Sequence, residues 1–252
     1  MHVDLLKPQH GWRAFAGEVG VVVLGVLIAL AANAIVEARQ WRHKIDGAEA
    51  AMRLELAEDN GPQAYGRVLI GRCLDDQITR IHDGAGHVPT DQLRQWIRAY
   101  TPPFRTWDSE AWKVVIASDI GSHMGPERLI AWSAPYRILP GLTEQDALEA
   151  KLVIDLREVL GPTGEPSPSD LQSLRRTAAQ LRFLNHSFNT GSQLLLTRIG
   201  ATGAQIPQAT HRALIADARA MYGPCVVIPD LKAAPGAARL TANLRSAALT
   251  AR

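Results

Sequence analysis

Cysteine is nearly absent: the 252 residues hold two, Cys73 and Cys225, and neither belongs to a CxxC or any other metal-ligand spacing. An even pair in a chain that otherwise avoids the residue suits one disulfide between the start and end of a domain in an oxidising compartment. The alternative is two small buried hydrophobes that never meet. An excess of either charge is also lacking. Lys and Arg number 27 against 25 Asp and Glu, both signs are interspersed, and the net charge is +2, so no nucleic-acid partner is expected. After the N-terminal third, only Val226-Val227-Ile228 reads as a compact strand, too isolated to build a sheet. No GxSxG elbow and no Gly-rich phosphate loop with its Lys is present.

What the chain does contain is one uncharged, almost wholly apolar run, VGVVVLGVLIALAANAIV, over residues 19–36. A membrane-crossing helix needs roughly 20 such residues, because each backbone polar group must be paired within the helix while it crosses hydrocarbon. Trp12 and Phe15 precede the run and Trp41 follows it. As a continuous helix, Trp12 to Trp41 would span about 43 Å, close to a bilayer with its headgroups. A transmembrane helix over residues 18–36 is therefore expected, with 1–17 as its flank and the lipid bilayer as its first partner. The competing reading is a cleaved signal peptide, since Ala32-Asn33-Ala34 fits a small-x-small cleavage pattern.

Gly25, Ala29 and Asn33 recur at four-residue spacing and form a small stripe through which two such helices could approach as a homodimer. Orientation is weakly marked. Lys7 and Arg13 stand on one side and Arg39, Arg42, Lys44 and Arg53 on the other, a slight lean toward an inward C-terminus that the cysteine pair opposes.

Residues 37–60 carry a charged helical pattern with a narrow seam of Trp41, Ile45, Ala48, Met52 and Leu56, which predicts a stalk. Asn60-Gly61-Pro62 is expected to end that helix and start another. A helical domain over 61–229 follows, and an Ala-rich basic tail over 230–252 reads as mobile or weakly helical. The predicted fold class is all-α: a transmembrane helix continuing into a stalk and a helical bundle. Within the bundle, Asp108 or Ser109 is expected to cap a helix bearing Trp112, Val115 and Ile116. A helix is expected over 143–160 after an interruption near Pro140. Ser169 or Asp170 is expected to cap the longest soluble helix, roughly 171–198, whose stripe is Leu174, Ala178, Leu181, Leu184 and Phe188. A last helix is expected over 208–222.

Three places carry chemistry-bearing side chains. His82, Asp83, His87 and Asp91 could offer zinc ligands, but the intervening Gly-rich loop fixes neither imidazole on a common helical face, and a solvent-exposed turn is the simpler reading. Residues 104–112, FRTWDSEAW, could line a ligand cleft, or they could start a helix with Trp107 and Trp112 as anchors. His186 and Asn189 lie one turn apart on a helix. None of these assigns a catalytic, cofactor-binding or metal-binding residue.

The run His10-Gly11-Trp12-Arg13-Ala14-Phe15, then Gly17-Glu18-Val19, Gly25-Val26-Leu27-Ile28-Ala29-Leu30, Trp41-Arg42 and Ala50 to Leu56 resembles a family of uncharacterised single-pass proteins of proteobacterial envelopes. The resemblance covers about 60 residues. It implies an uncleaved anchor joined to a stalk in the bacterial envelope, and no activity. The stalk, the helix-pairing stripe and the lack of a catalytic motif lead to the expectation of a noncatalytic inner-membrane protein that presents a helical domain to the periplasm, for scaffolding or for sensing an envelope protein partner. An anchored hydrolase or metal-dependent enzyme and a small-molecule sensor are the rival readings.

Overall fold

The computed structural model describes residues 12–161 and 164–229, and among these every regular element is helical. The expected mobile tail, 230–252, lies outside the described residues. The chain divides into two units, one ending at Gly47 and one beginning at Ala48.

In the first unit the apolar run lies within helix α1, Trp12–Glu55. Its most apolar window has no buried residue, and by length and composition it suffices to cross a membrane. Val21, Leu24, Ile28 and Leu30 are all exposed. The Trp12 and Phe15 rings sit 6.3 Å apart, and the Lys44 ammonium lies 4.3 Å from the Trp41 ring centroid. Gly25, Ala29 and Asn33 are exposed, and a Cβ added at Gly25 would meet nothing within 4 Å.

The second unit starts inside what the pattern marks as stalk. Met52 and Leu56 are fully buried, Glu49 pairs with Arg128 at 2.7 Å, and the Tyr136 hydroxyl donates to the Met52 carbonyl. The expected break at Asn60-Gly61-Pro62 does not occur. A π-turn, Leu56–Asn60, carries the chain in helical conformation into α2, Gly61–Gly84, with the Gly61 N–H donating to the Leu56 carbonyl. The physical reason lies in Pro62, whose ring in a regular helix would strike the carbonyl four residues back. The wider turn just before it moves that carbonyl away without stopping the helix.

Helices α3 (Thr90–Ala99), α4 (Glu110–Ala117), α5 (Ile120–His123) and α6 (Pro126–Tyr136) form short connecting pieces. Ser109 stands at the start of α4 but its side chain makes no capping bond, contrary to expectation. Glu55 supplies the acceptor instead, its Oε2 taking the Ala111 N–H at 2.9 Å. Helix α7, Leu139–Glu158, begins earlier than expected because Pro140 falls in its first turn, where a missing N–H costs nothing. Helix α8, Pro168–Ala201, also starts earlier, capped by Ser167 and not by Ser169 or Asp170. Ser167 Oγ accepts the Asp170 N–H, and the Ser167 N–H donates to the Asp170 carboxylate at 2.8 Å, forming a capping box.

The core is the meeting of α2, α7 and α8. Their buried faces are read at alternating spacings of three and four: Arg67, Gly71, Leu74, Ile78 and Ile81 on α2; Leu142, Asp146, Glu149, Val153 and Leu156 on α7; Leu181, Asn185, Phe188, Ser192 and Leu195 on α8. Helix α9, Gln208–Tyr222, packs on α2, and a short 3₁₀ turn then delivers Cys225 to Cys73. The two are disulfide-bonded, with Cα atoms 5.1 Å apart across 152 residues of sequence. Beyond it, the Val226-Val227-Ile228 run forms no strand; Val227 donates a single backbone bond to Leu69.

Candidate functional site

Each of the three core stripes carries polar residues where an apolar one would be ordinary, and the fold brings them together. Arg67 is fully buried, and its Nη1 lies 2.8 and 2.9 Å from the two carboxylate oxygens of Glu149, itself 3% exposed. Only the Glu149 Oε2 is aligned to accept a hydrogen bond. Arg67 Nη2 donates to Asn185 Oδ1 at 2.8 Å, and Asn185 returns its amide to the Gly71 carbonyl at 2.9 Å. The guanidinium also lies 4.4 Å from the Phe188 ring centroid. A buried ion is tolerable only when paired and hydrogen-bonded, and three helices supply those partners at one level, with Arg67 Nε and Glu149 Oε1 left without a hydrogen bond among the described residues.

A second arginine and a second carboxylate lie against the first pair. Arg105 is buried beside the same Phe188 ring, donating its backbone N–H to Asp146 Oδ2 at 3.3 Å and its Nη1 to the Pro103 carbonyl at 2.7 Å. Burial, reinforced by the neighbouring Arg67, pushes the Arg105 guanidinium down to about 10. Burial likewise raises the Asp146 carboxyl above its ordinary range, against the opposing pull of Arg105. The Tyr100 hydroxyl, also raised by burial, has no hydrogen-bond partner.

Asp146 lines a cavity of about 230 Å³ between α7 and the extended residues 101–104. Along its α7 wall run Asp146, Glu149, Ala150, Val153, Ile154 and Arg157, and Phe104, 73% exposed, stands opposite. Here buried charge meets open space.

The residues that stand out in the sequence behave differently. His82 Nδ1 lies 2.8 Å from Asp83 Oδ1, while Asp91 turns to Arg94 at 3.2 Å. Gly86, at φ 76°, makes the turn between the histidines. Among the described residues no group of three His, Cys, Asp or Glu side chains is arranged to hold a metal ion. The two tryptophans of residues 104–112 are packing anchors, while Phe104 stays exposed at the cavity: Trp107 meets Phe188 at 6.0 Å, and Trp112 stacks on Tyr136 at 5.4 Å with 10° between planes. Asn60 grips Asp108 through both its backbone groups, which fixes the segment. His186 is exposed and Asn189 turns toward Gly71, so the two share no groove. Sequence reasoning misses Arg67, Asp146, Glu149 and Asn185; the one signal they carry there is their place within otherwise apolar stripes.

Comparison of the chain with protein-family models, curated proteins and solved structures returns no match.

Proposed function

We propose that this chain is a noncatalytic, single-pass protein of a bacterial inner membrane that presents its helical unit to the periplasm, for scaffolding or for sensing a partner. The observation that carries the reading is the pairing of an unburied apolar helix with a disulfide between Cys73 and Cys225. The first needs hydrocarbon around it, and the second needs an oxidising compartment. The resemblance of the first 60 residues to proteobacterial envelope proteins points the same way, and so does the stripe of Gly25, Ala29 and Asn33 as a homodimer face. The buried charges support a noncatalytic unit, because Arg67 is consumed by Glu149 and Asn185 and holds the helices in register.

The test is protease treatment of intact spheroplasts, with peptide maps of the membrane fraction run with and without reductant. Digestion of residues beyond 48, and a Cys73–Cys225 peptide pair that separates only on reduction, are expected. A protected C-terminal unit with free thiols would overturn the periplasmic placement, and full-length protein recovered in the aqueous fraction would overturn the anchor.

A further inference from the structure

The cavity beside α7 has two carboxylates, Asp146 and Glu149, toward one end, Arg157 at the other and mainly apolar walls between them. At one end Asp146 is 3% exposed, and among the described residues its one hydrogen bond is the Arg105 N–H on Oδ2. At the other end Arg157 Nη2 donates to two neutral oxygens, the Tyr100 carbonyl at 3.2 Å and Thr101 Oγ1 at 3.1 Å. Among the described residues no carboxylate closes an ion pair with Arg157. Arg157 also borders a second cavity, of about 460 Å³, whose charged lining is completed by Arg94, Arg98 and Glu158. Between the ends lie Ala150, Val153, Ile154 and Phe104. Eleven residues of helix separate Asp146 from Arg157, a rise of about 16 Å, which the long arginine side chain shortens.

We propose that this groove binds a small, elongated zwitterion, with its ammonium on Asp146, its carboxylate on Arg157 and an apolar spacer against Val153, Ile154 and Phe104. The ligand's ammonium meets a carboxylate that accepts a single hydrogen bond among the described residues, the ligand's carboxylate meets an arginine with no ion pair among them, and the spacer covers apolar wall that water solvates poorly. The cavity is smaller than those that enclose drug-sized ligands, so the occupant is a slim chain and not a fused-ring compound. The site makes no use of the anchor, and its test is independent of the membrane placement proposed above.

The experiment is isothermal titration of the full-length chain in detergent, with each probe also titrated into empty micelles. The probes are ω-amino acids from aminobutanoate to aminooctanoate, together with hexylamine and hexanoate. One site is expected, with affinity rising along the length series and aminohexanoate at least about tenfold tighter than either single-ended probe. Asp146→Asn should reduce aminohexanoate to the level of hexanoate, and Arg157→Gln should reduce it to the level of hexylamine. Equal binding of aminohexanoate and hexylamine, or no saturable heat with any ω-amino acid, would overturn the proposal. The single-ended probes make the same comparison on the unaltered chain, so the proposal can still be overturned where a variant does not fold.

Discussion

Arg67 and Glu149 face each other at 2.8 Å with their side chains 0% and 3% exposed, an ion pair sealed between α2 and α7 and buttressed from α8 by Asn185. Such a pair adds little net stability over a well-packed apolar one, yet breaking it is costly because one buried charge is left alone. Glu149→Gln should therefore lower stability by about 3–5 kcal/mol, and the double variant Arg67→Met with Glu149→Leu should recover most of the loss. Denaturant midpoints of the full chain in detergent measure both; equal destabilisation by single and double variants would show that the pair is not the unit.

Asp146 gives the unit a pH dependence of defined sign. Burial holds its folded pKa above the unfolded value, so the folded state binds the proton more tightly. Its contribution to stability is fully present below the unfolded pKa and is lost as pH rises through the folded one. Asp146→Asn keeps an oxygen that can accept the Arg105 N–H but removes the titration. Stability of the wild type relative to the variant should fall as pH rises above the ordinary carboxylate range, read from denaturant midpoints at each pH.

Gly61 is fixed by closeness, not by its dihedral angles. A Cβ there would lie 2.7 Å from the Leu56 carbonyl oxygen and 2.9 Å from Ile206 Cγ1. The carbonyl cannot withdraw without stretching the bond that closes the π-turn. Gly61→Ala should cost about 1–3 kcal/mol, measured by thermal or denaturant unfolding, although alanine is the better helix former.

The Cys73–Cys225 bond closes a loop of about 150 residues, for which chain entropy gives up to about 5 kcal/mol. Reductant, or Cys225→Ala, should lower the denaturation midpoint accordingly. Maleimide labelling of the unfolded chain should tag two thiols only after reduction.

In the first unit, Gly25→Leu with Ala29→Leu should abolish self-association in a membrane two-hybrid assay while leaving membrane fractionation unchanged. An unaltered signal would remove the small-residue face from consideration.

Periodicity makes the helices legible, because Leu174, Ala178, Leu181 and Phe188 or Tyr65, Leu69 and Cys73 repeat at the helical interval. The same periodicity conceals the charged layer. Arg67, Glu149 and Asn185 each read, singly, as an interruption of a stripe or a point on a solvated face; only the approach of three helices makes them partners. Pro62 reads as a stop because sequence gives no measure of how far a turn can widen. Ser169 and Asp170 look like better caps than Ser167 for a similar reason, since Pro168 sits as well before a helix as inside its first turn. The cavity at Asp146 arises from the extended residues 101–104 lying against α7, a long-range contact without a local pattern.

The bond between Cys73 and Cys225 also governs how the molecule would survive injury. Any single backbone cut after residue 73 and before residue 225 yields two pieces that remain one covalent object until reduced. A protease nick between α7 and α8 would leave every helix still tied to the fragment that carries α1, and only a reducing gel would reveal the wound.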